Sequence, residues 1–260
     1  MPQLQHRSLK HEYEVYVERE IEDYKDSIPR SAILSIGDEA VARLRAQEQT
    51  AFDELVLWDE VDRIITKRLR IPTYGSWKRR RLKLLAEYRR PEHWGMHPDA
   101  PLVRAIASSS DAHVLVTGPR VSESTLYLAA NGCTVTAFGA APDVVERVMI
   151  AAEAVGLARQ VNAVVSPLSE WSPDGPLTAV VFSPAAFAGL SDSDRARVIE
   201  VLQSATLDGG VHLVETIVAG QTALTIEELR SQYRGWSISV ERDGTAAPTF
   251  FARKAVATAS

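Results

Sequence analysis

The sequence contains a single cysteine, Cys133, among 260 residues. One thiol cannot close an internal disulfide, so the fold must be held by its core, and a reducing compartment is the expected setting. No CxxC pair, Cys/His pair or Ser/His/Asp order supports nucleophilic or redox chemistry. No apolar run approaches the ~18 residues that would cross a bilayer, and Met1 to Arg7 lacks the apolar centre of a secretory signal. The expectation is a cytoplasmic protein, at most peripheral on the cytoplasmic face of a membrane. There is no internal repeat and no low-complexity tract, which sets aside repeat arrays and disordered chains. What is present is ordinary: 45% hydrophobic and 24% charged residues, enough for one large core or two modest ones without staples.

The formal charge of −5 argues against a general nucleic-acid coat. It conceals an asymmetry. Between Arg63 and Arg90 stand eleven basic residues and one acid, Glu87, so that segment carries +10 and the remainder −15. Lys78, Arg79, Arg80 and Arg81 form its centre, interleaved with Tyr74, Trp77 and Tyr88. Aromatics beside arginine describe protein interfaces, so Tyr74, Trp77, Lys78, Arg79, Arg80 and Arg81 are the candidate partner-binding residues. Protein subunits of a larger complex are the first expected partner, anionic lipid headgroups the second, and nucleic acid the last.

The first ~90 residues read as mainly helical. His11 to Val17 alternates polar and apolar residues, as a short strand or extended arm would. Gly37-Asp38 is expected to open a helix through Gln49. Phe52, Leu55, Val61, Ile64, Ile65 and Leu69 mark one apolar stripe on a helix ending before Pro72. Ser76 is the expected cap of a helix through Tyr88, burying Trp77, Leu82, Leu85 and Tyr88. Pro91 to Asp111 reads as a connection with a short helix over Leu102 to Ala107. From Asp111 apolar strands alternate with helices: strands at 113–117, 134–138, 161–165, 178–182 and 211–215, with helices at 122–130, 142–155 and 193–205 between them. That rhythm predicts a parallel sheet covered on both faces. A helix over 226–233 and two close strands, 236–241 and 249–253, predict an added antiparallel hairpin. The fold class is α/β: a Rossmann-like doubly wound sheet ending in that hairpin, residues 94–260, behind a mainly helical, charged N-terminal extension, residues 1–93.

This arrangement resembles the class I S-adenosylmethionine-dependent methyltransferases, and within them the TehB-like, tellurite-resistance branch. The residues carrying the resemblance are Val114-Leu115, Ser124 to Leu128 with Asn131-Gly132, and Val135-Thr136. Leu207 to Gly210, Glu227 to Arg230 with Tyr233 and Trp236, and Phe251 to Lys254 continue it. The match covers roughly Trp94 to Lys254.

The cofactor loop departs from that family. The resemblance implies an acid-x-Gly-x-Gly-x-Gly loop after the first strand, whose glycines allow a tight turn and close backbone approach. In register, this chain reads Val116-Thr117-Gly118-Pro119-Arg120-Val121-Ser122. Only Gly118 of the three glycines remains, Val116 replaces the acid, Arg120 replaces the middle glycine, and Pro119 removes an amide donor. The acid expected at the tip of the second strand falls on Gly139, with Asp143 four residues on able to substitute only by a loop shift. The loop after the third strand offers Ser166 at best. Gly118, Arg120, Gly139 and Asp143 are thus the candidate cofactor positions of a degenerate site.

The remaining candidates have simpler readings. Arg120 lies beside a helix N-terminus, where it could meet an anion, or it pairs with Glu123. Asp143 and Glu146 read as first-turn helix charges. His93 and His97 stand four apart as zinc ligands do, yet Gly95 and Pro98 interrupt a helix there, so no metal is expected. His113 and His212 fall in strands, as hydrogen-bonded or edge histidines. The sequence-level expectation is a non-catalytic, methyltransferase-like scaffold or accessory subunit with no catalytic residue and no cofactor. A membrane-extrinsic subunit of a bacterial photosynthetic reaction-centre complex is the context suggested by a resemblance that no residue motif carries. The alternative is an active methyltransferase of the TehB-like type that binds S-adenosylmethionine through a remodelled loop.

Overall fold

The computed structural model describes residues 8–46, 54–106, 112–118, 121–139, 141–182, 184–187, 189–215, 225–241 and 248–256. They belong to two compact units, Met1–Leu84 and Leu85–Ser260.

The first unit is helical: α1 Leu9–Ser27, α2 Arg30–Ala46, α3 Glu54–Arg68 and most of α4 Tyr74–Tyr88. The strand or arm expected at His11 to Val17 is instead the first half of α1. The local alternation there is part of a longer helical period, because Val17, Ile21, Tyr24 and Ile28 all face the apolar cluster of Ile36, Ala40, Val61, Ile64 and Ile65. Ser8 caps this helix by accepting the His11 N–H at 3.3 Å. Further along, Gly37 does not open α2. The helix starts at Arg30, immediately after Pro29, whose carbonyl accepts the Ala32 and Ile33 N–H groups. A proline at that place breaks α1 from α2 and fixes φ for the new helix. Leu55 in α3 is 74% exposed and stands outside the stripe that Val61, Ile64 and Ile65 bury. Glu60 of α3 is buried, held by Arg63 Nη1 at 2.6 Å and by Arg43 Nη1 of α2 at 3.7 Å. α4 begins two residues before Ser76, with the Thr73 carbonyl accepting the Trp77 N–H, and Leu82, expected inside, is exposed.

The second unit has the order β1 His113–Thr117, α6 Val121–Ala130, β2 Thr134–Gly139, α7 Pro142–Ala154, β3 Val161–Val165, β4 Leu177–Phe182, α8 Asp192–Ala205, β5 Thr206–Glu215, α9 Ile226–Gln232, β6 Ser237–Glu241 and β7 Thr249–Arg253, with α5 Pro101–Ile106 ahead of it. The sheet order is β3-β2-β1-β4-β5-β7-β6, parallel from β3 to β5, with β7 antiparallel to both of its neighbours. This is the Rossmann-like, doubly wound sheet with a terminal hairpin that the sequence rhythm and the family resemblance imply.

Alternation along β1 and β2 sends residues to two cores. Val114, Val116, Val135 and Ala137 pack with Leu126 of α6 and Val148 and Ala152 of α7. Leu115 and Phe138 point the other way, to Val198, Ile199 and Leu202 of α8 and Leu229 of α9. Helix α6 is buried on nearly every side because residues 85–94 cover it. Arg89 Nε donates to the Ala130 carbonyl at 3.2 Å, and Asn131 Nδ2 donates back to the Arg89 carbonyl at 3.4 Å. Between β3 and β4 the chain runs without a helix, and Leu168 and Trp171 cover the sheet in its place.

Candidate functional site

In an open α/β sheet, ligands bind beyond the carboxyl ends of the strands, where the strand order reverses. Here the reversal lies between β1 and β4, so the relevant groups follow β1, β2 and β3. Gly118 leaves β1 at φ 125°, a backbone conformation suited to glycine, and its carbonyl accepts the Val121 N–H at 3.2 Å to start α6. The positive φ that such a sheet places on the glycine after its first strand is present at Gly118. Pro119 and Arg120 lie outside the described residues.

The polar groups expected around that turn are missing at the described positions. Val116 is 1% exposed and pairs in the sheet with Ala137 and Val181. Gly139 ends β2 in a buried position, and a Cβ placed on it would stand 3.0 Å from Val145 Cγ2 and 3.6 Å from Val144 Cβ. The first turn of α7 closes against the place where a ribose-binding acid would project. Asp143 is 68% exposed and pairs along its own helix with Arg147 at 3.4 Å, as a first-turn charge does. After β3, the Ser166 hydroxyl turns to the neighbouring Pro167 carbonyl at 3.3 Å. These residues do not fit S-adenosylmethionine in the manner the family resemblance implies. A cavity of about 400 Å³ lies elsewhere, between the β3–β4 connection and α8, lined by Trp171, Arg197, Val198 and Val201 among others.

The sequence does not reveal the partners of one buried histidine. His212 of β5 is fully buried, with Nδ1 2.7 Å from the Tyr233 hydroxyl and Nε2 2.7 Å from Thr206 Oγ1. Thr206 Oγ1 in turn donates to the Leu202 carbonyl at 2.7 Å. That last bond uses the threonine proton, so Thr206 must accept from His212 Nε2–H, and Nδ1 accepts from Tyr233. Burial, with a smaller contribution from Lys254, holds the imidazole far below its usual range, at about 3. A neutral histidine sealed in this way is no general base. It joins the end of α8, β5 and the residue after α9, and Lys254 Nζ adds bonds to the Gln203 and Thr206 carbonyls at 2.9 and 2.6 Å. His113 is also hydrogen-bonded, 3.0 Å from Thr136 Oγ1. His93 packs on Tyr88 and Trp94, with ring centroids 5.0 and 4.7 Å away.

In the first unit, Tyr74 and Trp77 lie half-buried against Tyr13, each with its ring centroid 5.5 Å from that of Tyr13. The Tyr13 hydroxyl donates to the Pro72 carbonyl at 2.9 Å. Arg81 turns inward to Glu12 at 3.5 Å, whereas Lys78, Arg79 and Arg80 are exposed.

No family model matches the chain, and no curated protein matches it. Among solved structures it is similar to TehB from Haemophilus influenzae, at 18% identity and a TM-score of 0.49, over 61% of this chain and 62% of that one. It is also similar to the N-methyltransferase NodS from Bradyrhizobium japonicum WM9 in complex with S-adenosyl-L-homocysteine, at 13% identity and a TM-score of 0.46, over 66% and 95% of the two chains. The chain thus spans less than two thirds of TehB. At such identities the likeness concerns the fold alone.

Proposed function

We propose that this protein is a non-catalytic subunit built on the methyltransferase-type Rossmann fold, and that it acts by binding other proteins. The observation that supports this reading best is Gly139: β2 ends on a buried glycine packed against Val145, where a cofactor site of the resembled family needs a carboxylate. A hydrogen bond to a charged group contributes ~1.5–3 kcal/mol. Its loss alone weakens binding ~10–100-fold at ~1.4 kcal/mol per decade. Val116 and Ser166 remove the other two acids, so the deficit is distributed around the site. A larger assembly into which such a subunit would fit is a membrane-extrinsic position on a photosynthetic reaction-centre complex. Purification at native expression tests it: a stoichiometric protein partner supports the reading, and a chain that elutes alone contradicts it.

A second reading is an active S-adenosylmethionine-dependent methyltransferase with a remodelled loop. Gly118 favours it, because the positive φ that a nucleotide turn requires has been kept. Calorimetry with S-adenosylmethionine and S-adenosylhomocysteine separates the two: micromolar binding sinks the scaffold, and silence at millimolar ligand sinks the enzyme.

A further inference from the structure

The basic segment divides once its side chains are placed. Arg63, Arg68, Arg81 and Arg90 each face a carboxylate, on Glu60, Glu39, Glu12 and Glu87. Lys78, Arg79, Arg80 and Lys83 of α4 are exposed, and among the described residues none of them makes an ion pair. Lys78 instead lies over the Tyr74 ring at 5.9 Å, and Arg79 Nη2 donates to Ser76 Oγ at 3.3 Å. Neither contact neutralises charge. At ~100° per residue the four cations occupy an arc of about 200° on the outer side of the helix, while Tyr74, Trp77 and Arg81 fill the opposite side. One large apolar residue stands inside that arc, Leu82 at 46% exposure; Leu84, at 47%, lies just outside it, next to Trp77.

We infer that this outer face of α4 docks on an anionic phospholipid bilayer. The inference is independent of whether the chain binds a nucleotide cofactor. A wide arc of separate cations suits lipid headgroups, which move laterally to meet each charge, better than a single acidic helix, whose charges form a narrow row. An exposed leucine between the cations has no role against a nucleic-acid backbone, but it enters the boundary between headgroups and acyl chains. The acidic balance of the whole chain does not oppose the contact, since charges farther than a Debye length of ~8–10 Å are largely screened. Four Lys/Arg side chains on one helix are a cluster of the size that anionic leaflets attract.

The test uses the full chain and sedimentation with vesicles of phosphatidylcholine, with and without phosphatidylserine. Binding is expected only when phosphatidylserine is present, and is expected to be released by salt. The double change Arg79→Gln, Lys83→Gln alters exposed side chains and should leave the circular dichroism unchanged while lowering vesicle affinity about 30-fold, the equivalent of ~1 kcal/mol per charge. Leu82→Gln should weaken binding at low salt while leaving its salt dependence unchanged, because the contact it removes is apolar. Arg234→Gln, an exposed cation after α9, should change nothing. The proposal is overturned if phosphatidylserine vesicles do not bind at low salt, or if Arg234→Gln is as harmful as the α4 change. It is equally overturned if the α4 cations prove to hold a second copy of the chain, seen as a dimer that the double change dissociates without any vesicle binding.

Discussion

Gly139 and Val145 are packed so closely that a Cβ on the glycine would lie 3.0 Å from Val145 Cγ2. The first turn of α7 fills the space beyond the end of β2. Gly139→Asp should therefore destabilise the fold by ~1–3 kcal/mol through overpacking, and Val145→Ala should relieve part of that cost. Neither variant should gain micromolar affinity for S-adenosylmethionine, because Val116 and Ser166 still lack carboxylates. Urea midpoints and calorimetry on the single and double variants check both statements.

The buried imidazole of His212 makes stability depend on pH in a defined window. Its pKa falls from 6.5 in the unfolded chain to about 3 in the folded one, so between those values the unfolded chain binds a proton that the native state refuses. The contribution is fully present above 6.5, declines as pH falls through the window by up to ~1.4 kcal/mol per unit, and levels off below about 3. Glu39 and Glu228, whose pKa values are lowered by Arg68 and by the Thr225 backbone respectively, act only from the ordinary carboxylate value downward. The upper part of the window thus belongs to the histidine. Urea midpoints measured downward from neutral pH should fall before the carboxylates begin to titrate, and the His212 ring resonances should keep their neutral positions throughout.

Tyr233→Phe removes the hydroxyl that donates to His212 Nδ1. The ring packing against Trp236 and Phe250, with centroids 5.3 Å away in each case, remains. What is lost is the partner of a fully buried acceptor, an expected cost of ~1–3 kcal/mol. Differential scanning calorimetry should show it as a lowered Tm without a change in secondary structure.

Cys133 is buried between α6 and β2, and burial pushes its thiol up to about 11. Thiolate is the reactive form. In native conditions an aromatic disulfide reagent should leave the residue untouched, and labelling should begin only with unfolding in denaturant. Rapid labelling of the native chain would contradict the placement of β2.

The second unit was legible because β-branched runs such as His113 to Thr117 and Leu177 to Phe182 are buried on both faces and read as continuous apolar strands. β5 is longer than the 211–215 that the apolar run predicts. Gly209 and Gly210 are part of the strand, not a loop before it: Gly209 turns at φ 76° and a Cβ on Gly210 would lie 2.6 Å from Thr206 Cγ2. In the first unit the signal in His11 to Val17 was local, whereas the period that decides its helix runs on to Ile28. The departures from the cofactor motif could be read residue by residue. The chain Thr206, His212 and Tyr233 could not, because its members are brought together only by the packing of β5 against α8 and the end of α9. The division of the basic segment was hidden for the same reason: Arg81 and Lys83 look alike in sequence, and only the helix phase turns one to Glu12 and leaves the other exposed.

The central claim is that a methyltransferase-type fold has lost its cofactor site while keeping its sheet. Titration calorimetry of the full chain with S-adenosylhomocysteine tests it most directly. The account predicts no measurable heat of binding up to millimolar ligand; a saturable isotherm in the micromolar range would contradict it.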